Sequence, residues 1–471
     1  MLKRAQRWTG HTLTLSLLIL VANLLMGGWG APMSPAFASA STSSSWKATE
    51  LPLPTSAVTA PGDEPSIGPL SCPASGFCVA IASYFDGQNH IHGVIETLAH
   101  GTWTAIEEPV PADASYSNLS AVSCPTVTYC VAVGWYAPAS DEPVGLIETL
   151  SGGRWTEHKS PLPANVPTIS SIFLNALACP AVGSCVAVGS YHPQPNSSGS
   201  YGLIETLDGK QWSATVAPLP ANAQPGPGAQ LGSITCPTID FCVSIGYYFT
   251  TRGEDPRVIE TLAGGTWTPT SVPTQYLSSA ECPASGSCVA VGQLIRSGQS
   301  SPLVETLSSG TWTMSTAPLP ANTITKRQWS YLDDVVCPPL GSCVAIGDYT
   351  TTNSTEDGLV ETLVQGTWTA EDVPPPAPSF SINENALACA DASFCVAVGV
   401  YTYGAGGSST QAGLIDTMTD GIWTSSTAPI VRNGGSVYLD DVECPGTHSC
   451  IALGTYLDGN GNYQLVAESL G

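Results

Sequence analysis

The sequence is poor in basic residues, and in charged residues altogether. It has 13 Lys and Arg against 37 Asp and Glu in 471 positions, a formal net charge of −24 and only 11% charged residues. Such an acidic chain repels phosphate backbones, so nucleic acid is not expected as a partner. The chain also lacks G-x-S-x-G, H-E-x-x-H and Walker motifs. The common sequence signatures of hydrolase, metalloprotease and nucleotide sites are therefore missing.

Long apolar runs are also missing, except for one near the N-terminus. Three basic residues precede this run (13–29), and small residues follow it. The layout predicts a secretory signal peptide over residues 1–40, cleaved after Ala38 or Ala40, with 41–471 as the mature chain. An uncleaved membrane anchor is the alternative, because the run approaches the roughly 18–20 residues that span a bilayer. We expect a secreted protein without a membrane span after cleavage.

The cysteines reveal an internal repeat. Sixteen Cys form eight C-x₅-C pairs, and the first Cys of each pair lies 46 to 57 residues from the next. A period of this length is typical of propellers and other repeat arrays. The pairs are Cys72 with Cys78, Cys124 with Cys130, Cys179 with Cys185, Cys236 with Cys242, Cys282 with Cys288, Cys337 with Cys343, Cys389 with Cys395, and Cys444 with Cys450.

Each repeat contains four short segments rich in Val, Ile, Thr and aromatic residues. In the second repeat they are LSAVSC (119–124), CVAVGWY (130–136), GLIETL (145–150) and a segment that begins at Trp155. Because no segment of the chain shows a sustained 3.6-residue period, we assign all four as strands, named A to D. Four antiparallel strands repeated around an axis form the blades of a β-propeller. The sequence predicts a single all-β domain, an eight-bladed β-propeller over 41–471.

The two ends of the repeat region predict a closed ring. In repeats one to seven a strand-C carboxylate precedes a strand-D Trp by seven residues, but the eighth repeat ends shortly after its carboxylate, Glu468. Trp46 stands alone near the N-terminus, with Pro52 at the six-residue spacing found after every other strand-D Trp. We therefore expect the segment at Trp46 to complete the last blade, which leaves no free sheet edge there.

The C-x₅-C pairs are expected to form disulfides. Each pair joins the end of strand A to the start of strand B, and a hairpin brings such positions within bridging distance. A metal site is disfavoured, because the spacing is not C-x₂-C and no His recurs with it. An exported chain reaches an oxidising compartment. Each small closed loop is worth roughly 2 kcal/mol.

The strand-C carboxylate recurs in all eight repeats, as Glu seven times and as Asp416 once. A residue present in every blade usually builds the blade, so we expect each carboxylate to bond a backbone or neighbouring-blade group. A ring of acids that gathers cations is the alternative. The recurrent Trp is expected to pack blades together.

The B–C and D–A connections vary in length between repeats, whereas the A–B and C–D turns are constant. In an up-and-down blade the two variable connections emerge together, on what we call the variable face. Loops on a rigid scaffold commonly carry recognition, so this face is the candidate binding surface. Aromatic side chains there would stack on sugars or bind a peptide, with simple loop packing as the alternative. The candidate ligand-binding residues are Phe173, Tyr276, Tyr331 and Tyr438, with Trp329 close by in sequence.

An acidic motif, YLDDV, recurs at 331–335 and 438–442, where inner strands begin. Asp333 and Asp440 are candidate ligands of a hard cation such as Ca²⁺, which prefers oxygen. Solvated acids or turn caps are the alternative. No other cofactor is expected.

Two resemblances follow from these repeats. The CP-x₄-CVAVG and G-x-W-T segments resemble those of uncharacterised secreted bacterial propeller-repeat proteins over nearly the whole mature chain. The second segment also resembles the Asp-box of sialidase-like propellers, S-x-D-x-G-x-T-W, and 208–212 keeps its Asp. That resemblance implies an arginine cluster, an acid and a Tyr nucleophile. The six Arg of the mature chain are scattered through loops, and no repeat carries the Arg motif of that family.

The leading interpretation is an exported, non-enzymatic, monomeric scaffold that binds a glycan, a peptide or a cell-surface protein through the variable face. The alternative is a sialidase-like enzyme that cleaves glycans, in which polar residues would converge on one deep pocket. A purely structural cell-surface protein would instead have a featureless variable face.

Overall fold

The computed structural model describes residues 45–58, 64–139, 142–164, 166, 169–193, 199–272, 275–325, 328–338, 342–404 and 409–471. The predicted signal peptide lies outside these residues. Residues 44–471 form one compact unit. Within the described ranges, no helix has the length and apolar character needed to cross a bilayer.

The described chain folds into eight four-stranded antiparallel sheets, so the predicted eight-bladed β-propeller is confirmed. Blades 1 to 4 contain, in chain order, β2 (Ser66–Ala74), β3 (Phe77–Phe85), β4 (Ile91–Ala99), β5 (Thr102–Glu107); β6 (Ala114–Thr126), β7 (Tyr129–Pro138), β8 (Val144–Ser151), β9 (Arg154–Lys159); β10 (Ile169–Ala181), β11 (Ser184–Pro193), β12 (Tyr201–Asp208), β13 (Gln211–Val216); β14 (Gln230–Thr238), β15 (Phe241–Tyr247), β16 (Arg257–Ala263) and β17 (Thr266–Val272).

The second half of the ring follows the same plan. Blades 5 to 8 contain β18 (Gln275–Ala284), β19 (Ser287–Arg296), β20 (Gln299–Ser308), β21 (Thr311–Thr316); β22 (Ser330–Val336), β23 (Ser342–Thr350), β24 (Glu356–Val364), β25 (Thr367–Val373); β26 (Ser379–Asp391), β27 (Phe394–Tyr403), β28 (Thr410–Thr419), β29 (Ile422–Thr427); β30 (Val437–Gly446), β31 (Ser449–Leu457) and β32 (Tyr463–Leu470).

The ring is closed by the N-terminal strand, as predicted. Strand β1 (Trp46–Glu50) pairs antiparallel with β32, with Trp46 opposite Leu470 and Glu50 opposite Val466. The last blade therefore has the order β1-β32-β31-β30. The first strands of neighbouring blades contact one another all the way round, including β30 with β2. These inner strands surround the axis of the propeller.

The hydrophobic core lies between blades. Strand β7 is typical: Cys130, Val131, Ala132 and Val133 are all fully buried, because a neighbouring blade covers each face of the sheet. Alternate residues of this strand pack into different clusters, one shared with blade 1 and the other with blade 3. A strand buried on both faces therefore carries the continuous apolar run CVAV rather than an alternating pattern.

All eight predicted disulfides are present, each within one blade. The Cα atoms of each pair lie 4.0 to 4.2 Å apart, and no free cysteine occurs among the described residues. Each bond ties an inner strand to the next strand of the same blade, and this density of disulfides is typical of proteins in oxidising compartments. In blade order the bonds join Cys72 to Cys78, Cys124 to Cys130, Cys179 to Cys185, Cys236 to Cys242, Cys282 to Cys288, Cys337 to Cys343, Cys389 to Cys395, and Cys444 to Cys450.

A recurrent glycine follows the CVAV segment because the inner strand bulges toward it. In blade 8 the register shifts between Leu439 and Asp441, opposite Gly454. A Cβ atom at Gly454 would lie 1.8 Å from the carbonyl oxygen of Tyr438. The position therefore requires a residue without a side chain, and the residue before the bulge is held in a fixed place.

Candidate functional site

The variable face is formed where strands B and C, and strands D and A, are joined. In blade 4 this edge is marked by Tyr247, the last residue of β15, and by Arg257, the first residue of β16, which pair with each other. The constant A–B and C–D turns lie at the opposite ends of the strands. The predicted division between variable and constant connections is confirmed.

The predicted aromatic residues lie near the variable-face ends of inner strands, but each has different neighbours. The ring of Phe173 lies 5.9 Å from that of Trp135 in the preceding blade. The ring of Tyr438 lies 6.1 Å from that of Tyr463, within blade 8. Trp329 is 45% exposed in the connection before β22. These residues are therefore spread around the ring rather than gathered in one pocket.

Tyr331 is engaged within its own blade. Its hydroxyl donates a hydrogen bond to Oδ2 of Asp348 at 2.7 Å. Burial, followed by the nearby Asp348 carboxylate, raises the pKa of Tyr331. The phenol is accordingly held in its protonated form.

Tyr276 contacts Arg257, which lines a cavity of about 220 Å³ between blades 4 and 5. The cavity wall includes Gln230, Tyr247, Arg257 and Leu277. The guanidinium carbon of Arg257 lies 4.9 Å from the centre of the Tyr276 ring and 5.5 Å from the centre of the Tyr247 ring. Tyr276 itself is 40% exposed. A cation between two aromatic faces at the edge of a cavity is thus the most distinctive feature of the variable face.

The pairing of the strands in blade 4 brings the cavity-lining side chains Gln230, Tyr247 and Arg257 together. Gln230, Tyr247 and Arg257 are direct neighbours across β14, β15 and β16, so their side chains share one face of blade 4. The Tyr247 hydroxyl donates to Oε1 of Gln230 at 3.1 Å. Nε of Arg257 is buried without a hydrogen-bond partner, and no ion pair to Arg257 occurs in the described part of the chain. The sequence-based assignment of the arginines to loops is wrong here, because Arg257 begins a strand.

The recurrent Asp-Asp motif divides into two roles. Asp334 accepts hydrogen bonds from Ser279 Oγ (2.7 Å) in blade 5 and from the backbone N–H of Leu387 (3.0 Å) in blade 7. Asp441 accepts one from the backbone N–H of Leu70 (2.7 Å). The second Asp of each motif therefore links inner strands of different blades.

The first Asp residues of the two motifs, Asp333 and Asp440, are the cation ligands predicted from the sequence. Burial raises the pKa of Asp333 to about 7, and its Oδ2 atom has no hydrogen-bond partner among the described residues. Neither Asp belongs to a group of three His, Cys, Asp or Glu side chains with ligand atoms close together in the described residues. A cation site at these positions stays a prediction.

Further carboxyls line the inner strands. Burial, together with repulsion from neighbouring carboxylates, raises the pKa of Glu281 and Asp441 to about 7 and that of Glu443 to about 8. Glu443 interacts electrostatically with Asp441, Glu281 and Asp334. The axis of the propeller therefore holds a group of mutually repelling acids that bind protons near neutral pH.

The strand-C carboxylates are buried, but most lack the partner that we expected. Only Glu205 receives a hydrogen bond from the preceding blade among the residues described, from Ser160 Oγ. In most other blades the position of Ser160 holds an apolar residue such as Ala217 or Val272, so no donor is available. Burial raises the pKa of Glu148 well above its usual range, that of Glu96, Glu205, Glu260, Glu361 and Glu468 to about 8, and that of Glu305 and Asp416 to about 7.

One further group of side chains is not among the candidates predicted from the sequence. Asp86 and His90 lie in the B–C connection of blade 1 and His92 lies at the start of β4, with the ligand-type atoms of the three all within 4.8 Å of one another. The pattern D-x₃-H-x-H is present in the sequence, but it occurs in one blade only and is therefore not part of the repeat that predicted the other candidates.

A larger cavity, of about 740 Å³, lies between the outer strands of blades 2 and 3, away from the variable face. Trp212, Lys159 and Lys210 line it. Lys159 already lies 3.6 Å from Asp113 and 5.4 Å from the Tyr136 ring centre. Its charge is therefore compensated within the protein, unlike that of Arg257.

No protein-family model matches this chain, and no curated protein is similar to it in sequence. Several solved structures resemble it. An ulvan lyase from a new family of polysaccharide lyases is 9% identical, with 71% of this chain and 89% of that chain covered and a TM-score of 0.38. The WD40 domain of SCAP from fission yeast is 10% identical, with 90% of this chain and 98% of that chain covered and a TM-score of 0.42. The Trypanosoma rangeli sialidase in complex with 2,3-difluorosialic acid is 11% identical, with 90% of this chain and 58% of that chain covered and a TM-score of 0.39.

Proposed function

We propose that the protein is an exported, non-enzymatic binding scaffold that recognises an acidic sugar through the variable face. The observation that carries the proposal is Arg257, held between the rings of Tyr247 and Tyr276 at the cavity between blades 4 and 5. A guanidinium offers a planar fork of donors that matches a carboxylate or sulfate. Tyrosine faces offer apolar area against which the C–H side of a sugar ring packs.

The size of the cavity limits the ligand. Its volume of about 220 Å³ lies below the roughly 300–1,000 Å³ of sites for drug-sized ligands. One sugar residue therefore fits better than a long segment of chain. The net charge of −24 also opposes approach of a polyanion. A glycan with isolated acidic residues, such as a terminal uronic acid, satisfies both conditions.

Support for a non-enzymatic role comes from the chemistry of the tyrosines. A sialidase-like mechanism needs several arginines and a Tyr that readily gives up its proton. Among the described residues, Arg257 is the one arginine that lines the cavity. Tyr331, which does contact a carboxylate, has a raised pKa and is therefore a poor nucleophile.

The proposal is tested by calorimetric titration with an oligosaccharide that carries a single terminal glucuronic acid and, as a neutral control, the same oligosaccharide with glucose in that position. We expect binding of the acidic sugar only, weakened at least about tenfold by Arg257→Gln, since a charge-assisted hydrogen bond is worth about 1.5–3 kcal/mol. Arg432→Gln is the matched control, because Arg432 is exposed in another connection of the variable face. An equal loss of affinity for the acidic sugar in both variants, or no binding of that sugar by the wild type, would overturn the proposal.

Export is a separate part of the proposal. The eight disulfides support an oxidising destination. Mass spectrometry of the protein recovered from culture medium should give a chain that starts at Ser39 or Ser41, next to the two predicted cleavage sites. Recovery only in the membrane fraction, with the N-terminus intact, would favour the uncleaved anchor.

A further inference from the structure

Three potential metal ligands lie close together where the B–C connection of blade 1 enters β4. Oδ2 of Asp86 lies 3.2 Å from Nε2 of His92 and 3.5 Å from Nδ1 of His90. The three side chains are partly exposed, at 21%, 31% and 37% for Asp86, His92 and His90. In the described residues this is the only group of three such side chains whose ligand atoms lie within 4.8 Å of one another.

The local backbone orients the carboxylate. Oδ1 of Asp86 accepts hydrogen bonds from the backbone N–H groups of Gln88 (2.8 Å) and His90 (2.9 Å). These two donors occupy one carboxylate oxygen, and the other oxygen faces the two imidazoles. Positive φ at Asn89 (63°) turns the chain so that His90 returns toward Asp86. The carboxylate is thereby fixed before any ion binds.

Aromatic rings orient the imidazoles. The Tyr84 ring stacks on His92 with 5.5 Å between ring centres, and the Tyr116 ring lies 5.5 Å from His90. The Tyr84 hydroxyl in turn donates to Glu107 at 2.7 Å. Groups that hold ligand side chains in place in this way are a regular feature of metal sites.

The same turn occurs in blade 8 without the histidines. Oδ1 of Asp458 accepts from the backbone N–H groups of Asn460 (2.7 Å) and Asn462 (2.9 Å), as Asp86 does in blade 1. In this alignment Asn462 stands where His90 stands, and Gln464 where His92 stands. Forming this turn therefore requires the Asp but not the two histidines, which occur only in blade 1.

We propose that Asp86, His90 and His92 form a binding site for a divalent transition-metal ion of the Zn²⁺ type. Zn²⁺ takes His nitrogen and Asp oxygen at about 2.0–2.2 Å. Tetrahedral geometry at those lengths separates ligand atoms by roughly 3.3 Å, close to the two measured separations. Two imidazoles disfavour Ca²⁺ and Mg²⁺, which prefer an all-oxygen set. Three protein ligands would leave one position of a four-coordinate ion for water or another ligand.

The site is tested with Zn²⁺ alone, by titrating the purified protein in competition with a chromophoric chelator. The test variant is His90→Asn/His92→Gln, which installs the residues that the equivalent turn of blade 8 already carries. We expect one equivalent of Zn²⁺ for the wild type and at least about tenfold weaker binding for the variant. His158→Ala is the control and should bind as the wild type does. Failure of the wild type to bind, or binding unchanged in the variant, would overturn the proposal.

A gain-of-site variant gives an independent measurement. Asn462→His/Gln464→His builds the blade 1 pattern on the blade 8 turn, and a second equivalent of Zn²⁺ is expected. Co²⁺ used alone should give the intense visible absorption of tetrahedral coordination in the wild type, and none in His90→Asn/His92→Gln. An identical Co²⁺ spectrum in the two proteins would count against the assignment of these ligands.

Discussion

The carboxylate of Asp441, in the last blade, accepts a hydrogen bond from the backbone N–H of Leu70, in the first blade, at 2.7 Å. The same carboxylate accepts from the N–H of Val442 at 2.8 Å. Asp334 makes the equivalent link from blade 6 to Leu387 of blade 7. The same type of hydrogen bond, from a backbone N–H to an Asp carboxylate, therefore joins inner strands of neighbouring blades both within the ring and where the ring closes.

Asp441→Ala should destabilise the protein by about 1–3 kcal/mol, because it leaves two buried N–H groups without acceptors. Asp440→Ala is the matched control. Asp440 is exposed on the same strand, and its replacement should change the free energy of unfolding by less than about 0.5 kcal/mol. Urea denaturation of both variants measures the difference. Equal effects would show that the cross-closure hydrogen bond adds no stability.

Stability should rise as the pH falls from 8 to 5. The strand-C carboxyls have folded pKa values of about 7 to 8, above the roughly 4.3 of an unfolded Glu. Between these values the folded state binds more protons than the unfolded state, so stability decreases with increasing pH. The contribution is complete below the unfolded pKa and is lost as the pH rises through the folded pKa. A melting temperature that is constant, or that falls toward pH 5, would contradict the assignment.

Glu260→Gln isolates one such group. Both carboxyl oxygens of Glu260 are buried without a partner in the described structure, and burial raises its pKa to about 8. The neutral amide avoids the cost of burying a charge, so the variant should melt higher than the wild type at pH 9. At pH 5, where the wild-type carboxyl is also neutral, the two should melt within a few degrees of each other. A variant less stable than the wild type at pH 9 would show that the carboxylate has a favourable role there.

Replacing Cys236 and Cys242 with Ala should cost about 2 kcal/mol, the value for a small closed loop. The equivalent change at Cys72 and Cys78 should cost the same, because both pairs span six positions. Denaturation of the two double variants under non-reducing conditions makes the comparison. A markedly larger loss at one pair would indicate a packing role beyond the cross-link.

Gly454→Ala should destabilise the protein by about 1–3 kcal/mol, since the new methyl group would overlap the Tyr438 carbonyl oxygen. Blade 1 provides a natural contrast. It has Ala82 at the equivalent position, opposite an interruption of pairing between Ile67 and Leu70. Ala82→Gly should therefore cost no more than about 1 kcal/mol. A harmless Gly454→Ala would mean that the inner strand shifts easily.

The repeat made most of the fold predictable. The constant C-x₅-C spacing and the constant seven-residue spacing from carboxylate to Trp predicted the blade, and the isolated Trp46 predicted the closing strand. These features follow from local geometry that recurs eight times. The same strand order can therefore be inferred from eight copies of the pattern within one sequence.

The candidate site was much less predictable, because it depends on residues that occur once. Arg257 pairs with Tyr247 within blade 4, yet Tyr276 reaches it from blade 5, and no sequence spacing encodes that approach. The absence of a partner for Glu260 likewise depends on which residue the preceding blade places against it. Asp86 and its histidines were readable in the sequence, but only by a search for non-recurrent residues.

The pairing of β1 with β32 has a consequence for the order of folding. A hydrogen bond from Tyr456 to Glu50 at this closure spans 406 residues of sequence. Closing a flexible loop of that length costs about 5 kcal/mol of chain entropy, whereas each of the other blades forms from contiguous chain. We therefore expect β1 to pair with β32 last, and until then β32 presents an open strand edge. Dimers that exchange β1 between two copies are the misassembled product to expect when refolding is carried out at high concentration.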